Sequence, residues 1–93
     1  MPFLIQLRTA NTVDEVVSTA RNYVHVWGEG LQHLPPECRP VIERADDIAT
    51  AANALALARK RLVDSGQPVS HELDMTARYF EAAVARIAEL RSR

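Results

Sequence analysis

The residues Ile48 to Ala58 read IATAANALALA, an eleven-residue run without a charge between Asp47 and Arg59. It falls inside what the spacing predicts to be a long helix. A surface helix of a small bundle carries a polar stripe along its length. This one loses its stripe for about three turns, at roughly 3.6 residues per turn. Either the helix is covered on several sides, or alanine fills exposed positions because it favours helix. The choice bears on whether the chain works alone or in an assembly.

Ninety-three residues suffice for one domain with its own apolar core, without metal or disulfide support. Phe3, Phe80, Tyr23, Tyr79 and Trp27 are the only aromatics, so aliphatic side chains and alanine must fill most of that core. A net charge of −1 offers no long-range attraction for nucleic acid or anionic lipid. With Cys38 the single cysteine, no intrachain disulfide can form. The start, MPFLIQLR, has neither a basic n-region nor a long apolar stretch, and no run approaches the roughly 20 apolar residues of a membrane span. The expectation is a cytoplasmic protein without a membrane role.

The pattern predicts three helices, over about 13–28, 40–64 and 71–91, preceded by an apolar arm over 1–8. In the arm, Phe3, Ile5 and Leu7 alternate with Leu4 and Gln6, which suggests an extended segment packed on the bundle. Thr12-Val13-Asp14-Glu15 fits a capping box at the first helix start. Val13, Val16, Val17, Ala20, Tyr23, Val24 and Trp27 then form one apolar stripe, and Gly28 and Gly30 favour termination. Pro35 and Pro36 interrupt the next segment, and Pro40 suits a helix first turn. In the second helix, Val41, Ala45, Ile48, Ala52, Leu55 and Leu62 make one seam. Ile42, Ala49, Ala56 and Val63 make another. Two seams imply two neighbours and a central position. Ser70 caps the third helix, whose seam is Leu73, Ala77, Phe80, Val84 and Ile87.

These elements predict an all-α, three-helix up-down-up domain over residues 1–93. The second helix outruns the first, so part of a two-helix hairpin should project bare, and a second copy would complete a larger bundle by dimerisation. The corresponding function is a non-catalytic protein-interaction or assembly module that self-associates or binds a partner helix. Its expected interface is Ile48, Ala51, Ala54, Leu55, Leu57, Ala58, Tyr79, Phe80, Val84 and Ile87. Tyr79 is the exposed aromatic anchor of that expectation.

Chemistry has little support in the pattern. His25, His33, Cys38 and His71 are the only soft or borderline ligands, and none is paired at a metal-binding spacing. His71-Glu72 lacks the second histidine of a helical zinc motif. Cys38 next to Arg39 has one attribute of an activated thiol, but the neighbouring prolines fit a structural turn. No catalytic residue, metal or cofactor is therefore expected. The alternative function is a nucleic-acid-binding regulator that uses Arg59, Lys60 and Arg61. Nucleic acid is the less favoured partner, because Arg86, Arg91 and Arg93 are expected at the other end of the hairpin.

Overall fold

A computed structural model describes residues 2–93, and the side chains from Phe3 onward. The described residues form helices and connecting turns, with no strand among them. The elements are α1 (Pro2–Thr9), α2 (Val13–Val26), α3 (Gly28–Leu31), a 3₁₀ turn (Pro36–Cys38), α4 (Ala45–Asp64) and α5 (His71–Arg91).

Local chemistry explains most of the boundaries. The Thr12 hydroxyl accepts from the Glu15 amide at 3.1 Å, and the Glu15 carboxylate reaches back to the Asn11 amide. The Ser70 hydroxyl accepts from the Leu73 amide at 3.1 Å and opens α5. Gly66 ends α4 at a φ of 72°, in the left-handed region that glycine enters without strain. Its amide donates to Val63 and the Gln67 amide donates to Leu62, so two terminal carbonyls of α4 are satisfied.

The start of α4 departs from expectation. Residues 40–44 are not helical, and the helix begins at Ala45 rather than near Pro40. Asp47 decides this start: its carboxylate accepts from the Glu43 and Arg44 amides at 2.8 and 2.9 Å. Those two bonds hold the Asp47 carboxyl below the ordinary carboxylate range. Pro40 is buried in the connection instead of opening the helix.

The N-terminal segment is also corrected. It is a helix rather than an extended arm, since Phe3, Leu7 and Ala10 recur at spacings of four and three. Leu7 and Ala10 are buried, and Phe3 and Leu4 are half-buried against the core. α1 packs on both α2 and α5. The Arg86 guanidinium fixes its end, donating twice to the Ala10 carbonyl at 3.2 and 2.8 Å.

The long helices do not alternate in direction. Arg86 meets Ala10 just before α2, and Tyr23 near the end of α2 meets Thr76 early in α5, so α2 and α5 are antiparallel. Arg59 pairs with Asp74, while Ala45 and Ala49 lie beside Ile87 and Arg91, so α4 and α5 are antiparallel too. Thus α2 and α4 point the same way, and the up-down-up order is replaced. The segment from Trp27 to Arg44 makes the return, running back along α4 with its 3₁₀ turn against that helix. Arg21 ties the far end of this crossover to α2, donating to the Ile42 and Glu43 carbonyls, each at 3.1 Å.

α5, not α4, holds the centre. It buries seven side chains to the four of α4 and packs against α1, α2 and α4. The second seam expected on α4 is absent: Ala49 and Val63 are exposed and Ala56 is half-buried. The bare hairpin is absent as well, because α1 lies on α5 and the crossover lies on α4. The charge-free run therefore has three environments. Ile48, Ala51, Ala52 and Leu55 face the core, Ala54 and Ala58 face the crossover side, and Ala49 is exposed.

An aromatic cluster sits where α1, α2 and α5 meet. Tyr23 and Tyr79 stack with centroids 4.0 Å apart and planes within 10°. Phe3 and Phe80 meet that pair edge-on. The Tyr23 hydroxyl shares a hydrogen bond with Thr76 at 3.3 Å, whereas the buried Tyr79 hydroxyl has no partner among the described residues. Burial, and secondarily the neighbouring Tyr23, push the Tyr79 phenol well above the ordinary tyrosine range. A buried hydroxyl without a partner is destabilising by roughly 1–3 kcal/mol. Tyr79→Phe is therefore expected to raise stability by about 1–2 kcal/mol, read as a higher urea midpoint. A lower midpoint would mean that the hydroxyl is satisfied.

Candidate functional site

The ten expected interface residues fall in three places. Ile48, Ala51, Leu55, Tyr79, Phe80 and Ile87 are buried in the chain's own core. Tyr79 is the clearest correction: it is 3% exposed, because α1 and the aromatic cluster cover the side of α5 expected to face solvent. Val84 is exposed and lines a separate cleft between α4 and α5 with Ala45 and Ala49. Ala54, Leu57 and Ala58 remain together on one surface.

That surface is a groove of about 500 Å³ between the crossover, α4 and the start of α5. Leu34, Pro35 and Cys38 supply one wall, and Ala54, Leu57, Ala58 and Leu62 supply the other. Leu73 and Pro68 close the end near α5. The crossover takes this path because its apolar residues must be buried: Leu31, Leu34, Cys38 and Ile42 are each no more than 5% exposed. Arg39 stiffens the wall, donating to the Gln32 carbonyl at 2.8 Å and the Leu34 carbonyl at 3.2 Å. Among the leucines that line the groove Leu57 alone is exposed, with 48% of its surface accessible, and Pro35 on the facing wall is exposed as well.

His33, Glu37, Arg61 and Ser70 are the polar residues of the groove. Cys38 donates weakly to the Ala54 carbonyl at 3.7 Å. Burial raises its thiol pKa, Glu37 raises it further, and Arg61 partly opposes them. The thiol is thus held protonated, the reverse of what an activated nucleophile requires.

The basic run is divided. Arg59 pairs with Glu81 at 2.7 Å and Asp74 at 3.3 Å, and Lys60 pairs with Asp64 at 2.8 Å. Among the described residues Arg61 alone of the three has no ion pair. Two of the three cations meant for phosphate are therefore engaged with acids of the same chain. That weakens the electrostatic basis of the nucleic-acid alternative.

A second cleft was not foreseen from sequence. His25 and Trp27 from the end of α2 meet His71, Glu72 and Met75 from the start of α5, with Glu29 beside them. Only the antiparallel packing of α2 and α5 brings these residues together, so linear spacing carried no signal of it. Among the described residues, no three His, Cys, Asp or Glu side chains are placed to hold a metal ion.

No helix of the described residues is long and apolar enough to cross a membrane. No protein-family model, curated protein or solved structure matches the chain.

Proposed function

We propose that this chain is a small helical assembly module whose groove face binds a second copy of itself. The observation that carries this reading is the adjacency of an exposed apolar knob, Leu57, and the apolar groove it borders. A twofold contact needs a patch complementary to itself, and a knob beside a hole meets that need. Ala54 and Ala58 lie on the same face as Leu57, and their small side chains let a partner backbone approach closely.

The support differs from that expected on sequence grounds. Completion of a bare hairpin no longer calls for a partner, since α1 and the crossover cover it within the chain. A stable interface buries roughly 800 Å² on each partner. That is about a seventh of the 5923 Å² surface, so the contact would extend past the groove onto the adjoining faces of α4 and the crossover.

Sedimentation equilibrium of wild type and Leu57→Glu tests the reading. Wild type is expected to dimerise, and the variant to self-associate at least tenfold more weakly, because a desolvated carboxylate would face apolar walls. Leu57 is half-exposed in the isolated chain, so the variant is expected to retain its fold. A wild type that stays monomeric up to millimolar concentration would overturn the proposal.

A further inference from the structure

The two groove walls each carry one charge without an ion pair in the chain. Glu37 lies on the crossover wall, and Arg61 lies on the α4 wall one turn after Leu57. Neither forms an ion pair among the described residues, and both are exposed. Their charged neighbours are engaged differently. Arg59 and Lys60 hold acids of the same chain, and Arg39 is pinned to two carbonyls of the crossover. One anion on the crossover wall and one cation on the α4 wall thus border the groove that the exposed Leu57 also lines.

In a twofold contact, residue i of one copy meets residue j of the other, and j meets i. With Leu57 of each copy seated in the other's groove, one charged residue on each wall suffices for two identical pairs. We infer that Glu37 of one copy pairs with Arg61 of its partner, twice across the axis, and that this pairing fixes the register of the dimer. The inference rests on the self-association reading and deepens it by naming the contact. The pairs lie at the rim, where charges select partner and orientation more than they add affinity. Leu57 and the alanines supply the apolar contact, while Glu37 and Arg61 reject misaligned copies by like-charge contact.

A mixing experiment with two charge-reversal variants tests the pairing. In the Glu37→Arg homodimer, two arginines would face each other at both pairs. In the Arg61→Glu homodimer, two glutamates would do so. A mixed dimer of the two variants restores opposite charges at both positions. Each variant alone is expected to dimerise about tenfold more weakly than wild type, at low ionic strength where rim charges are least screened. Equimolar mixing is expected to recover association as a heterodimer, identified by native mass spectrometry of one isotope-labelled partner. Circular dichroism melts check that both variants fold.

A contact between charges within one chain would not produce recovery on mixing. If both variants dimerise like wild type while Leu57→Glu does not, the charge pairing is wrong and the self-association reading stands. If both are weakened and mixing restores nothing, the pairing is likewise overturned. If wild type itself is monomeric, both readings fall together.

Discussion

Phe80→Ala is expected to lower the stability of the fold by about 3–5 kcal/mol. Phe80 is fully buried on α5, the helix that meets α1, α2 and α4. Its ring meets Tyr79 at 5.4 Å and Tyr23 at 6.2 Å, both nearly edge-on. Truncation removes the burial of the ring and leaves a cavity that cannot easily close. Tyr23 and Tyr79 are held by their mutual stacking, and Tyr23 also by Thr76. A domain of this size has a total stability of roughly 5–15 kcal/mol, so the variant is expected near the edge of folding. Urea denaturation measures the change, with Phe80→Leu as a milder comparison that keeps most of the buried volume. A loss below about 1 kcal/mol for Phe80→Ala would show that α5 is not the centre of the core.

The position of Phe80 was legible in the sequence because it belongs to a four-three repeat that needs no knowledge of neighbours. The same holds for Ile48 and Leu55 on α4, and for Thr12 and Ser70 as caps. These signals are local: a side chain within reach of an amide three residues on, or an apolar face one turn above another. Tyr79 was not legible, because its burial depends on α1 arriving from more than seventy positions away. α1 itself was misread because alternation over Phe3 to Leu7 competes with the helical spacing of Phe3, Leu7 and Ala10, and five residues cannot decide between them. The start of α4 turned on whether Pro40 or Asp47 sets the boundary. Proline tolerates a first turn without requiring one, whereas the Asp47 carboxylate makes two definite bonds.

The groove was partly legible. The absence of charge from Ile48 to Ala58 identified a helix with more than one apolar environment, and Ala54, Leu57 and Ala58 do line the groove. Its opposite wall was hidden. Leu34, Pro35, Glu37 and Cys38 lie in a proline-containing segment whose sequence shows a break in helix but not the route taken afterwards. That route follows from the parallel course of α2 and α4, which forces the connection to travel back along the bundle. The bare hairpin was expected because the second helix outruns the first, and the central role of α4 because it carries two seams; neither expectation counted α1 or this connection as cover. The route of the connection accounts for the order of helix directions and for the cover over α4, while the second seam fails because Ala49 and Val63 face solvent.

Leu7→Ala is expected to reduce global stability by about 2–4 kcal/mol, and it separates a structural helix from a dispensable arm. Leu7 is 2% exposed, and α1 has only eight residues, too few to remain helical without its packing. Its other attachments are half-buried Phe3 and Leu4 and the Arg86 bonds to Ala10. If α1 detaches, Phe3 leaves the tyrosine pair and the covered side of α5 opens to water. That coupling ties the short helix to the most aromatic part of the core, so the loss should appear in the whole unfolding transition. Native-state hydrogen exchange together with urea denaturation reads the difference. A lower urea midpoint with weakened protection of the core amides of α5 is the expected result. Weakened protection confined to α1, with the global midpoint unchanged, would show that the first helix opens independently and that the remaining helices sustain the core without it.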